Sequence, residues 1–147
     1  MDRTQATKSI LNAKRKLGLK WIEIANVIER SESWTATALL GQATLSQEEA
    51  QKVGALLDLS NEVIECFTVV PYRGTTVEMP PTDPLIYRFY EILLVYGPAI
   101  RELIHEKFGD GIMSAIDYEM DIKRIEDPKG DRVLVTLNGK FLPYRKW

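Results

Sequence analysis

Asp83-Pro84-Leu85-Ile86-Tyr87-Arg88-Phe89-Tyr90-Glu91-Ile92-Leu93-Leu94-Val95-Tyr96 is the stretch on which the fold turns. Asp83 before Pro84 reads as a helix start: the carboxylate can accept orphan N–H groups, and proline occupies the first turn, where its missing donor costs nothing. At about 100° per residue, Leu85, Phe89, Ile92, Leu93 and Tyr96 form one stripe, yet Tyr90, Leu94 and Val95 lie well off it. A helix apolar on nearly every side must be buried all round. The few short strands that follow cannot cover it while also shielding their own edges. The sequence therefore predicts a homo-oligomer in which identical chains cover each other's helices and pair each other's sheet edges.

Downstream, Gly97-Pro98 is predicted to kink or restart the helix, and Ile100, Leu103 and Ile104 carry its apolar face on to Phe108. Gly109-Asp110-Gly111 ends the helical region. A period of two then takes over, with Ile116, Tyr118, Met120 and Ile122 alternating with Asp117, Glu119, Asp121 and Lys123. That pattern predicts a half-buried strand entered at Ala115, with Ser114 following the glycine-bracketed turn and preceding the strand. Asp127-Pro128-Lys129-Gly130 reads as a turn, and Val133, Val135 and Leu137 as a second strand. Asn138-Gly139 carries a strong two-residue hairpin signal, leading into Lys140-Phe141-Leu142.

Upstream, residues 1–67 carry helical signals only. Ile10, Ala13 and Leu17, then Trp21, Ile24, Ala25 and Ile28, predict two amphipathic helices meeting at Gly18. Trp34 to Leu40 predicts a third, stopped by Gly41. Ser46 with Glu49 is a capping box for a fourth, and Ser60 is placed as the cap of a fifth. Residues 69–83 have the proline-rich texture of a linker. The expected division is a helical domain with linker over 1–80 and a catalytic and oligomerisation domain over 81–147. The fold class is α+β: an all-helical bundle of the repressor-like, helix-turn-helix type, then a helix with antiparallel strands.

Trp21 to Leu40 has the look of a helix-turn-helix, but a recognition helix should present Arg, Lys, Asn or Gln to base edges. Trp34 to Leu40 contains none, and residues 1–80 hold nine basic against ten acidic side chains. A DNA surface is not expected. The 147 residues, 45% apolar and 27% charged, are ordinary for a globular protein, and a net charge of −2 attracts no polyanion. One cysteine and one histidine furnish neither a disulfide framework nor the usual zinc ligand set within a chain. No apolar run approaches the length of about 20 residues that spans a bilayer, and Met1 to Gln5 begins no signal peptide. A cytoplasmic protein without membrane contact is expected.

Chemistry must then come from carboxylates, guanidinium groups, hydroxyls and backbone. Arg88 and Glu91, three residues apart, can meet on one face of the apolar helix. Two readings stand: a structural ion pair specifying the subunit interface, or a pocket in which the planar donor fork of Arg88 grips a small anion. Ser114 is either a turn or strand-entry hydroxyl bonded to nearby backbone or a donor to that anion. No histidine lies at a spacing that predicts a serine hydrolase triad. His105 is placed at a surface or interface, Cys66 as a small buried hydrophobe, and Trp34 as a core anchor.

These segments also resemble the cyanate hydratase (cyanase, cyanate lyase) family. Ala38-Leu39-Leu40-Gly41-Gln42 is similar to its N-terminal signature, and Pro81-Thr82-Asp83-Pro84 with Tyr87-Arg88-Phe89-Tyr90-Glu91 to the start of its catalytic helix. His105-Glu106-Lys107-Phe108-Gly109-Asp110-Gly111-Ile112, with Ser114-Ala115-Ile116, is the most specific match. Gly139-Lys140-Phe141-Leu142-Pro143 resembles the closing motif. The resemblance implies a lyase that decomposes cyanate with bicarbonate as co-substrate, giving ammonia and carbon dioxide through carbamate without metal or organic cofactor. It also implies a decamer of five dimers, and active sites shared between subunits. The family's catalytic arginine, glutamate and serine fall on Arg88, Glu91 and Ser114.

Overall fold

A computed structural model describes residues 1–147. The chain folds into two compact units, Met1–Gly74 with Met120–Val135, and Thr75–Glu119 with Thr136–Trp147. The first is built mainly of five helices: α1 (Arg3–Leu17), α2 (Trp21–Ile28), α3 (Glu32–Thr37), α4 (Gln47–Leu57) and α5 (Asn61–Cys66). A long helix α6 (Pro84–Phe108) follows, then strands β1 (Gly111–Ile125) and β2 (Arg132–Pro143), which pair as a two-stranded sheet. The class is α+β, as the sequence predicts.

Local signals start and stop the N-terminal helices. Asp2 accepts from the Gln5 N–H at 2.8 Å while the Gln5 side chain accepts from the Asp2 N–H at 2.9 Å, a reciprocal cap for α1. Gly18 ends that helix in the left-handed region, φ 67°, which glycine enters without steric cost. α3 starts earlier than expected because the Ser31 hydroxyl accepts from the Trp34 N–H. It then widens into a π turn, Ala38–Gln42, in which Gly41 has φ 95°. Ser46 and Glu49 form the predicted capping box. Ser60 departs from expectation. It precedes α5, but its side chain makes no capping bond, and its carbonyl alone receives Val63 and Ile64.

The apolar faces close on one core in which Ile10, Ile24, Leu39, Val53, Leu57 and Phe67 are buried. α4 and α5 approach so closely that a Cβ on Gly54 would collide with the side chain of Ile64. Arg3 ties the unit together, donating to the carbonyls of Cys66 and Ala43 with its guanidinium 4.5 Å from the Phe67 ring centroid. Trp34 packs against this core under the Arg30 guanidinium. Cys66 is only half-buried, its thiol donating to the Met1 carbonyl at 3.2 Å.

The second unit differs in kind. No residue of α6 is buried, and its large apolar side chains, among them Leu85, Phe89, Leu93, Leu94 and Tyr96, are exposed. Asp83 caps it as expected, accepting from Leu85 and Ile86 N–H at 2.9 and 3.0 Å. The expected restart at Gly97-Pro98 does not occur, and α6 runs unbroken through Pro98. Proline removes one bond, to the Leu94 carbonyl, on a stretch open to solvent that can satisfy it. No helix is long and apolar enough to cross a membrane.

β1 is longer than predicted and already includes Ser114. It is also far from half-buried within the chain, Ile116 being 97% exposed. The hairpin expected at Asn138-Gly139 is absent: β2 continues through both residues, and the chain reverses only once, at residues 126–131. A two-residue type I′ turn needs positive φ at both central positions, and Gly139 does not have it.

Glu49 supplies a test of the helical unit. Burial alone would push its carboxyl up, but hydrogen bonds from the Ser46 backbone, from Arg30 at 2.6 Å and from the Ser46 hydroxyl prevail and hold it below the usual carboxylate range. A depressed folded value gives stability that is present above the ordinary value of 4.5 and lost as pH falls through the folded one. Glu49→Gln is expected to lower the thermal midpoint at pH 7. The gap to the parent should begin to close below that ordinary value, measured by circular dichroism melts from pH 7 to 3.

Candidate functional site

α6 positions the first two candidates. Its start is fixed by the Asp83 cap and Pro84, which sets Arg88 and Glu91 one turn apart on the same side. The Arg88 guanidinium donates to a Glu91 carboxylate oxygen at 3.0 Å and lies 5.7 Å from the Tyr87 ring centroid. Within one chain their side chains are 61% and 50% exposed. An ion pair so placed contributes about 0–1 kcal/mol, too little to account for a charge pair inside an apolar surface. The neighbours Ile86, Phe89 and Ile92 are exposed too, so the pair sits in an apolar field that nothing in the chain covers.

Ser114 is the opposite case, only 5% exposed although most of β1 is open. Its Oγ accepts from the Ile116 N–H at 3.0 Å and the Asp117 N–H at 2.9 Å. A hydroxyl has two acceptor lone pairs and one donor. Both acceptor positions are filled by backbone, and what it still offers is the O–H as a donor. β1 has 15 residues against 12 in β2, and the Tyr144 N–H donates to the Asp110 carbonyl just beyond the two ends. Between those ends the Ser114 side chain closes a short loop onto the Ile116 and Asp117 N–H groups of its own strand.

Three further residues hold this end of the hairpin, and sequence reading did not find their roles. His105 Nε2 donates to the Gly111 carbonyl at 3.3 Å, tying the last turns of α6 to the start of β1. Phe141 stacks on Phe108 with ring centroids 5.0 Å apart. A Cβ on Gly111 would collide with the Leu142 carbonyl and the Phe141 ring, which explains glycine at that crossing. The histidine and the two aromatics are visible as residues, but their pairing depends on the hairpin register, which the misread Asn138-Gly139 obscured.

The structure does not join Arg88 and Glu91 to Ser114 within one chain. No hydrogen bond or ion pair links them, and Arg88 lies 17 residues before His105, about 25 Å along a helix axis. A cavity of about 390 Å³ near the end of α6, lined by Arg101, His105, Asp110 and Tyr144 among others, includes none of the three. Its lining reaches Met113, the residue before Ser114, but not the Ser114 side chain. No three His, Cys, Asp or Glu side chains gather as a metal ligand set.

A helical unit ahead of a long uncovered helix and a hairpin defines an α+β protein that offers a guanidinium, a carboxylate and a sheltered O–H donor. Known proteins agree with that architecture. A profile described as "Cyanate hydratase, N-terminal" matches residues 3–71, and one described as "Cyanate lyase C-terminal domain" matches residues 78–146. The chain is 58% identical to cyanate hydratase of Thiobacillus denitrificans and 51% identical to that of Dechloromonas aromatica, each over the full length of both proteins. A crystal structure of cyanase from T. urticae superposes with a TM-score of 0.83 at 38% identity, covering 94% of this chain and 96% of that one. The chain belongs to the cyanate hydratase family, a family of lyases.

Proposed function

We propose that this lyase decomposes cyanate with bicarbonate as co-substrate, in the cytoplasm and without metal or organic cofactor, at sites assembled by several chains of a decamer of five dimers. In this reading residues 1–80 form the supporting helical domain, and residues 81–147 carry catalysis and assembly. Arg88 and Glu91 come from the apolar helix, and Ser114 from the hairpin of another subunit. The observation that carries the proposal is the division just described: an arginine–glutamate pair left uncovered in an apolar field, and a buried serine with only its O–H unspent.

Two anions repel one another in water, and joining them also costs translational freedom. Arg88 offsets the charge with a planar fork of donors whose strength grows when neighbouring chains exclude water. The Ser114 O–H fixes an oxygen of the adduct, combining orientation with electrostatic preorganisation. A bicarbonate oxygen attacks the cyanate carbon, and the bicarbonate proton passes to nitrogen, giving a dianion. A second proton reaches nitrogen as the bond from the bridging oxygen to the bicarbonate carbon breaks. Carbon dioxide leaves with that carbon, and the bridging oxygen stays in carbamate. Carbamate then takes up a third proton and separates into ammonia and a second carbon dioxide. Glu91 holds the Arg88 fork in plane or hands on one of these protons.

The deciding experiment is ammonia release from cyanate with and without added bicarbonate. Turnover is expected only with it, and bicarbonate-independent release would overturn the proposal. Arg88→Lys keeps a point charge but loses the fork, so turnover should fall about a hundredfold or more while particle mass by light scattering is unchanged. Ser114→Ala should cost a similar factor. Inactive Arg88→Ala and Ser114→Ala chains, unfolded and refolded together, are expected to regain part of the activity, because mixed particles contain some sites with both groups intact. No recovery would place all the groups on one chain.

A further inference from the structure

Asn138-Gly139 reads as a turn in the sequence, yet β2 passes straight through it. Glycine there needs another reason, because its φ is not positive and glycine within a strand weakens it. The reason lies opposite. A Cβ at position 139 would run into the Ser114 carbonyl oxygen and stand 2.6 Å from the Met113 Cγ and 3.2 Å from its Sδ. The methionine is a flexible side chain that can swing away. The carbonyl is backbone, held in the loop that the Ser114 hydroxyl closes onto Ile116 and Asp117.

We propose that Gly139 is a positioning residue for the reaction: its missing side chain lets β2 lie against the Ser114 peptide and so sets where the Ser114 O–H points. The inference rests on the assignment of Ser114 as a donor to the reacting anions. The collision is with the peptide of the serine itself, so any side chain at 139 displaces that peptide and carries Oγ with it. A hydrogen bond weakens steeply once it leaves its preferred distance and angle. A shift of a few tenths of an ångström in a strand that otherwise stays paired is therefore enough to reduce the rate without dismantling the sheet. Neighbouring anchors hold the rest of this end of the hairpin, Gly111 through His105 and Phe141 through Phe108, and they leave residue 139 as the contact that bears on Ser114 directly.

The test compares Gly139→Ala, Ser114→Ala, the two combined, and Gly139→Ala with Met113→Ala, each assayed as the intact particle for kcat, KM and mass. Gly139→Ala is expected to lower kcat at least tenfold in a particle of unchanged mass, and to cost little further when Ser114 is already alanine. Removing Met113 relieves the side-chain part of the collision only, so the Gly139→Ala, Met113→Ala protein should assemble and remain slow. Parental kcat in Gly139→Ala, recovery of the rate on removing Met113, or equal losses with and without the serine hydroxyl would each overturn the inference while Ser114 keeps its role. Parental kcat in Ser114→Ala would overturn the donor assignment and the inference together. Failure of all three position-139 variants to form the particle would also overturn it, assigning the glycine to the fold.

Discussion

A 25-residue helix with none of its residues buried is the constraint that organises this protein. Fully burying one large aliphatic or aromatic side chain contributes about 1.5–3 kcal/mol, and α6 exposes such side chains on nearly all sides. The surface is too extensive to leave in water and too nearly cylindrical for a two-stranded hairpin to cover. Other copies of the chain are the cheapest cover available. The same burial would transfer Arg88 and Glu91 from an exposed surface, where their pairing has little value, to a dry one where a guanidinium acts strongly on an anion.

On that reading the chain divides its chemistry by how each group is held. Ser114 is prepared within the monomer: sheltered, with its lone pairs occupied and its donor free to be aimed. Arg88 is prepared only as far as its partner Glu91, and its dielectric surroundings wait on assembly. Catalysis by preorganised dipoles requires groups that do not have to reorganise during reaction. A serine locked by its own strand meets that requirement locally, whereas an arginine on an exposed helix meets it only when neighbouring chains immobilise the fork. The family to which the chain belongs and the architecture it adopts are consistent with that division.

The parts of the fold that were legible in the sequence are those set by local chemistry. Gly18, the Ser46 and Glu49 box, and Asp83 with Pro84 mark helix ends because a cap involves residues only a few positions apart. Asn138-Gly139 misled for the converse reason: the contact that demands glycine there is with Ser114, 25 positions earlier, and no short-range pattern carries it. Ser114 falls just ahead of the predicted strand because the alternation becomes regular only after it, whereas β1 begins at Gly111. Its hydroxyl bonds to the next backbone N–H groups as a turn or strand-entry serine would, inside a strand. Of the two outcomes that Gly97-Pro98 predicts, a kink or a restart, the restart is excluded, because α6 runs from Pro84 to Phe108 with Pro98 inside it. Arg88 and Glu91 stood out by being charged in an apolar run, a signal that does not depend on knowing what lies opposite.

The two halves also differ in what keeps them folded. Every buried apolar side chain of the core lies between Ala6 and Phe67, in helices that close on themselves. The unit that carries Arg88, Glu91 and Ser114 has no comparable core, so in the proposed assembly its order would depend on partners and hence on protein concentration, as binding to the folded state alone requires. Under that proposal a chain built this way can keep a folded helical unit while the unit that carries Arg88, Glu91 and Ser114 is unassembled. Activity and the helical unit's stability are then separate quantities, coupled only through whatever the assembly buries of α6. An exposed arginine in the isolated chain is for the same reason no argument against the proposed catalytic role, because in the proposed assembly the surroundings that make a guanidinium effective would arise in the step that gives the apolar helix its cover.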